Sequence, residues 1–127
     1  MAEELLKRKN DGKKIAVIAG GETVVHLKGT GLGGRNQELA MAAAEVLAGV
    51  ANAALISAGS DGTDGPTDAA GGYVDGETLA DMEKAGVDYH AMLDNNDSYH
   101  ALKAVNCLVI TGPTGTNVND VAVALLG

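Results

Sequence analysis

Ala53-Ala54-Leu55-Ile56-Ser57-Ala58 runs without a break into Gly59-Ser60-Asp61-Gly62-Thr63-Asp64-Gly65-Pro66-Thr67-Asp68-Ala69-Ala70-Gly71. The first six residues are an apolar run of strand length. The thirteen that follow hold four glycines, one proline and three aspartates. A buried strand ending in a sharply turning loop is the reading. In open α/β sheets, ligands bind at the carboxyl ends of strands, so this acidic loop is the first candidate site. Three carboxylates so close together repel one another unless a cation or basic group sits among them. A solvated turn with self-capping aspartates is the alternative.

Upstream, Arg35 to Gly49 is an alanine-rich helix with an apolar stripe of Leu39, Ala43, Val46 and Leu47 and a glycine at its C-terminal cap. A second glycine-rich loop, Gly29-Thr30-Gly31-Leu32-Gly33-Gly34, leads into it. Before that, Lys14–Ala19 and Thr23–Lys28 read as strands joined by the tight turn Gly20-Gly21-Glu22, an antiparallel hairpin. Residues 1–13 read as the end of a helix or a linker, closed by the turn Asn10-Asp11-Gly12. Downstream, Gly71–Val74 suggests a short strand. Helices are expected over about Glu77–Lys84, as one turn at His90–Leu93, and over Ser98 to about Val105. Cys107–Thr111 and Val118–Leu126 are the last strands, separated by a third loop, Gly112-Pro113-Thr114-Gly115-Thr116-Asn117. The sequence therefore predicts one α/β domain over 14–127, three-layered (α/β/α) with a mixed sheet, in which the three loops are brought together.

Composition narrows the function classes. Apolar residues are 46% and charged residues 20% of the 127, as in a globular domain. With three tyrosines and no Phe or Trp, the core must be aliphatic and rich in alanine, which favours close helix–sheet packing. A net charge of −8, with nine basic against seventeen acidic residues, argues against a nucleic-acid partner. No run of apolar residues is long enough for a membrane span and no leader pattern is seen, so the cytoplasm is the expected location. The single cysteine, Cys107, lies in a strand-like run and reads as a buried structural thiol.

Gly29-x-Gly31-x-x-Gly34 matches the dinucleotide fingerprint in its letters, but no acidic residue follows at the end of a strand to hold a ribose. Nor does Gly-Lys-Ser/Thr follow, as a phosphate-binding Walker loop requires. Arg35 is more telling. It opens the helix, where a positive charge opposes the helix dipole, beside backbone N–H groups that would suit a carboxylate or phosphoryl oxygen. A salt bridge to Glu38 or to the acidic loop is the alternative. Asp61, Asp64 and Asp68 lack the spacing of a calcium loop, and magnesium held together with substrate phosphates fits them better. Glu22 is a candidate acid, base or hydroxyl acceptor. Thr114, Thr116, Asn117 and Asn119 offer neutral hydrogen-bonding groups. The histidines at 26, 90 and 100 share no metal-ligand spacing, and no serine sits in a nucleophile elbow.

Five of these stretches, in order, resemble the MOFRL domain, the C-terminal domain of the class II glycerate kinases, some relatives of which are labelled hydroxypyruvate reductases. They are Gly20–Thr23, Gly31–Ala40, Ser57–Gly71, Asp94–Tyr99 and Thr111–Asp120. The resemblance implies transfer of the γ-phosphoryl of ATP to a hydroxyl of D-glycerate with Mg2+, in a cleft against a larger Rossmann-like N-terminal domain. It implies that Arg35 holds the glycerate carboxylate or the transferring phosphoryl and that Asp61 orients or accepts from the attacking hydroxyl. Glu22 and Asn117 would line the substrate pocket, with Asp64 as a further substrate contact. The N-terminal domain's counterpart is not in this sequence, so the chain would be one wall of the site and inactive alone, with a docking face through which it can self-associate. The alternative is a non-catalytic module that binds a small anion or an assembly partner.

Overall fold

The computed structural model describes residues 2–7, 14–21 and 29–127. Its elements are α1 (Ala2–Lys7), β1 (Ile15–Gly21), α2 (Arg35–Leu47), β2 (Ala53–Gly59), β3 (Gly71–Asp75), α3 (Thr78–Lys84), α4 (Tyr89–Asp94), α5 (Ser98–Ala104), β4 (Leu108–Val109) and β5 (Asp120–Leu126). The five strands form one sheet in the order β1-β5-β2-β3-β4. The α/β class is as the sequence predicts.

Every pairing among the described strands is antiparallel, where a mixed sheet was expected. The reason lies in β5. An alternation of strands and helices suggests parallel neighbours, and β1 and β2 do run in the same direction. The last strand of the chain fills the place between them, pairing Ile18 with Val123 on one side and Val123 with Ile56 on the other. Glu22 and the second strand expected over 23–28 lie outside the described residues.

One core holds the molecule together. Ala40, Met41, Ala44 and Leu47 of α2 are buried with Leu55, Val74, Ala124 and Leu126 of the sheet, and Ala2, Met82, Tyr89, Ala101 and Leu102 from the other helices close around them. Alanine is what allows α2 to lie so close. A Cβ placed on Gly72 would come within 3.0 Å of the Ala40 Cβ and 2.8 Å of a Leu102 methyl. β5 alternates with period two, but its small residues Ala122 and Ala124 are buried and its larger Val121 and Leu125 are exposed. Ile18, Ile56 and Tyr73 are exposed on that same outer face. Among the described residues, then, the core lies on one side of the sheet and no third layer is seen.

Candidate functional site

β1 and β2 end, and β5 begins, at one edge of the molecule, where α2 also starts. Gly59, the last residue of β2, pairs with Asp120, the first of β5, and Asp120 pairs in turn with Gly21, the last of β1. The acidic loop leaves from Gly59, the third loop leads to Asp120, and the three glycine-rich loops lock together. A Cβ on Gly65 would collide with the Gly33 carbonyl, and one on Gly62 with the Gly112 carbonyl. Both glycines also have positive φ, at 62° and 86°, so a side chain is excluded twice over. The acidic loop is the middle member, gripped by the second loop on one side and the third on the other.

Its aspartates are held by protein donors. Each is turned to a different partner, which relieves their mutual repulsion. Asp64 is buried and completes the N-terminus of α2, whose own cap position, Gly34, has no side chain to offer. Its Oδ1 accepts from the Asn36 backbone N–H at 3.0 Å and side-chain amide at 3.1 Å. Its Oδ2 accepts from the Gln37 backbone N–H at 2.8 Å and side-chain amide at 3.0 Å. A carboxylate there satisfies otherwise orphaned donors and matches the helix dipole. Asp68 accepts from the Tyr99 hydroxyl at 2.8 Å, which raises the Tyr99 pKa. Asp61 is half-buried, and its Oδ1 accepts from the Thr63 N–H at 3.0 Å.

Arg35, the first residue of α2, reaches across to Asp120. Its Nε donates to Oδ2 and its Nη2 to Oδ1, the latter at 3.0 Å. The alternative salt-bridge partner suggested by sequence, Glu38, instead accepts from the Asn96 amide at 2.6 Å. Asp61 and Asp120, the partner of Arg35, converge on Gly59: a Cβ there would lie 3.2 Å from Asp61 Oδ1 and 3.5 Å from Asp120 Oδ1. Asp120 is the residue that sequence reasoning missed. Its signal was an acid opening an alternating strand on the face that is buried, visible only once the register is known.

The third loop is fastened to the acidic loop from Ser60. The Ser60 hydroxyl accepts from the Val118 N–H at 2.7 Å, its N–H donates to the Asn119 carbonyl at 3.1 Å, and its carbonyl accepts from the Thr114 hydroxyl at 2.5 Å. Asn117 is exposed on that loop and its side chain accepts from the Asn119 N–H at 3.2 Å. Glu22 follows Gly21, the β1 neighbour of Asp120. A shallow pocket lined by Val50, Asn52, Ala54, Tyr73 and Asp75 lies at the opposite end of the sheet and includes none of these residues.

The second loop corrects one expectation. Its backbone N–H groups were read as available to an anion, but they are taken by the segment before α5. Gly29 N–H donates to Asn96 Oδ1, Thr30 N–H to Asn95 Oδ1, Gly31 N–H to the Asn95 carbonyl and Leu32 N–H to Asp97 Oδ1, all at 2.9–3.1 Å. Asn95–Asp97 thus occupies the place a phosphate would take in a nucleotide loop. What remains for chemistry is side chains: the Arg35 guanidinium and the Asp61 carboxylate. Among the described residues no cluster of three or more His, Cys, Asp or Glu is arranged to hold a metal alone. Asp61 Oδ2 has no donor among the described residues, so Asp61 fits a magnesium that arrives already held by phosphates. Cys107 is half-buried and burial raises its thiol pKa, as suits a structural thiol. His90 lies 3.3 Å from Glu45 and His100 2.6 Å from Asp97, both at the surface.

Known proteins share this fold. The chain is 57% identical over 126 residues to D-glycerate 2-kinase of Thermotoga maritima, matching 99% of this chain and 30% of that protein. It superimposes on a crystal structure of glycerate kinase from the same organism with a TM-score of 0.96 at 55% identity, over 99% of this chain and 31% of that one. Glycerate 2-kinase of Pyrococcus horikoshii is 45% identical over 88% of this chain and 26% of its own length. A relative from Agrobacterium vitis that carries the name hydroxypyruvate reductase is 41% identical over all of this chain and 30% of its own. The chain therefore spans about 30% of the length of such relatives. The MOFRL family matches residues 15–120, and the chain belongs to that family.

Proposed function

We propose that the chain is the C-terminal part of an ATP-dependent D-glycerate kinase, forming one wall of the cleft in which the phosphoryl group moves. The observation that carries this reading is the convergence of Asp61 and the Arg35-bound Asp120 on Gly59 at the end of β2, in a chain 57% identical to a D-glycerate 2-kinase. The other wall, with the nucleotide-binding surface, is supplied by a Rossmann-like N-terminal domain, and the cytoplasm is the location that goes with this reading.

Phosphoryl transfer requires positioning and charge neutralisation more than covalent help from the protein. Arg35 supplies the positive fork, binding the glycerate carboxylate or an oxygen of the transferring phosphoryl. Asp61 accepts the proton of the attacking hydroxyl as its oxygen bonds to the γ-phosphorus and the bond to the β–γ bridging oxygen breaks. Magnesium, when bound on the phosphates, neutralises their charge. Asn117 and Glu22 line the glycerate pocket. Asp64 serves the same wall from behind, since its carboxylate is buried against the helix that carries Arg35.

Amide chemical-shift mapping tests the half-site in the chain itself. Titration with D-glycerate is expected to move resonances around Glu22, Arg35, Asp61 and Asn117, without turnover when magnesium-ATP is added. Shifts centred elsewhere would contradict the site, and phosphoryl transfer by the chain alone would contradict the half-site.

A further inference from the structure

We infer that Asp120 is a positioning residue that sets the direction of the Arg35 guanidinium, an inference that rests on the anion-binding role proposed above for Arg35. Arg35 stands where the helix dipole repels it, on a turn whose first N–H groups are already matched by Asp64. A long cationic side chain there needs an external anchor to hold one rotamer. Asp120 is that anchor: its side chain is only 7% exposed, and its two oxygens grip Nε and Nη2 side-on. A side-on grip fixes the plane of the guanidinium and directs its far edge away from the carboxylate.

The surroundings of Asp120 suit this task. It sits on a strand, between Gly21 and Gly59 in the ladder, so its own backbone is held on both sides. Glycine is needed at 59 for a reason other than φ. A Cβ there would come within 2.8 Å of the Thr63 carbonyl while crowding Asp61 and Asp120. The missing side chain keeps Asp61 and the Arg35–Asp120 pair around one small space. Asp61 hangs on a loop and is half-buried, whereas Asp120 is buried and bonded to the arginine.

Charge alone and positioning make opposite forecasts. Removing a carboxylate beside an anion site should strengthen anion binding if only charge matters. If Asp120 positions Arg35, its removal should weaken binding.

The test uses the 15N-labelled chain and the Arg35 Nε–Hε resonance, compared among wild type, Asp120→Asn and Asp120→Glu. The expected result is a displaced, slowly exchanging Hε signal in the wild type. In Asp120→Asn that signal is displaced from its wild-type position and exchanges at least tenfold faster. Asp120→Glu, which keeps the charge but moves it by one methylene, is expected to shift the signal and retain part of the protection. An Arg35 signal unchanged in either folded variant would overturn the inference. Asp120→Glu keeps the test decisive should Asp120→Asn fail to fold. D-glycerate titration of the same samples is expected to show binding at least tenfold weaker in Asp120→Asn, and tighter binding would overturn the inference. Should the wild type bind no D-glycerate while the Hε signals behave as expected, the anion-site reading fails and the positioning of Arg35 stands.

Discussion

Asp64 is withdrawn from water, yet its charge is answered by four N–H groups of Asn36 and Gln37 rather than by a cation. Buried hydrogen bonds to a charged group are among the stronger ones, and a helix cap adds to them, so Asp64→Ala should cost about 3 kcal/mol. Asp64→Asn should cost less, because its oxygen still accepts while its amide opposes the remaining donors. Urea denaturation checks both, and a loss below about 1 kcal/mol for the alanine variant would contradict the capping role. Tyr89 makes a second prediction at this scale. Its hydroxyl donates to the Met41 carbonyl, and burial, reinforced by the charge of Glu45, pushes its pKa up to about 12 from 10.0. Because the folded value is raised, the stability this phenol contributes is complete below pH 10 and is lost as pH rises toward about 12. The pKa values of all three tyrosines are raised, and an ultraviolet phenolate titration should lose its latest component in Tyr89→Phe. The sequence made Arg35 legible because a cation at a helix start is an anomaly that asks for a partner. The partner itself was not legible, since Asp120 lies 85 positions away and only the strand register joins them.

At the scale of elements, the alternation of buried and exposed positions is the sharpest feature. Leu55 and Ile56 are neighbours of similar size on β2, but Leu55 is 1% exposed in the core and Ile56 is 37% exposed on the outer face. Leu55→Ala should therefore cost about 3 kcal/mol through lost burial and a residual cavity, while Ile56→Ala in the same chain should cost under about 1 kcal/mol. Equal losses in thermal or chemical denaturation would mean that the outer face is packed in solution. Most elements were legible from periodicity and turn residues: α2, β2 and β5 fall close to where the sequence puts them, and Asn96 and Gly86 take the positive φ that turns require. Strand partners were not. Alternating strands and helices imply parallel crossovers, and nothing local announces that the last strand returns between the first two. The stripe of α2 was also only partly legible. Alanines are buried with two amides, Asn36 bonded to Ser57 of β2 and Gln37 bonded to the acidic loop, while the larger Leu39 and Val46 lie at the margin of the core. Close packing selected small residues over strongly apolar ones.

Across the whole molecule, the candidate site occupies one end of the sheet and the exposed apolar residues occupy its outer face. Ile18, Val123, Ile56 and Tyr73 form one continuous row across four strands. The glycine-rich motifs gather at one end of the molecule because loops that turn sharply must gather where strands stop. Their chemistry was harder to read. Glycines needed for loop-to-loop contact look the same in sequence as glycines needed for phosphate contact, and here Asn95–Asp97 and Asp64 take the N–H groups. The central claim, that this chain is one wall of a D-glycerate kinase cleft working through Arg35 and Asp61, is best tested by restoring the other wall. The 127 residues would replace the matching C-terminal segment of the Thermotoga maritima D-glycerate 2-kinase, to which they are 57% identical. The expected result is ATP-dependent phosphorylation of D-glycerate by the chimera, lost by at least a hundredfold in Arg35→Ala and in Asp61→Asn with the fold retained, on the order of 3 kcal/mol of transition-state stabilisation. A folded chimera that is inactive, or one whose activity survives both substitutions, would contradict it.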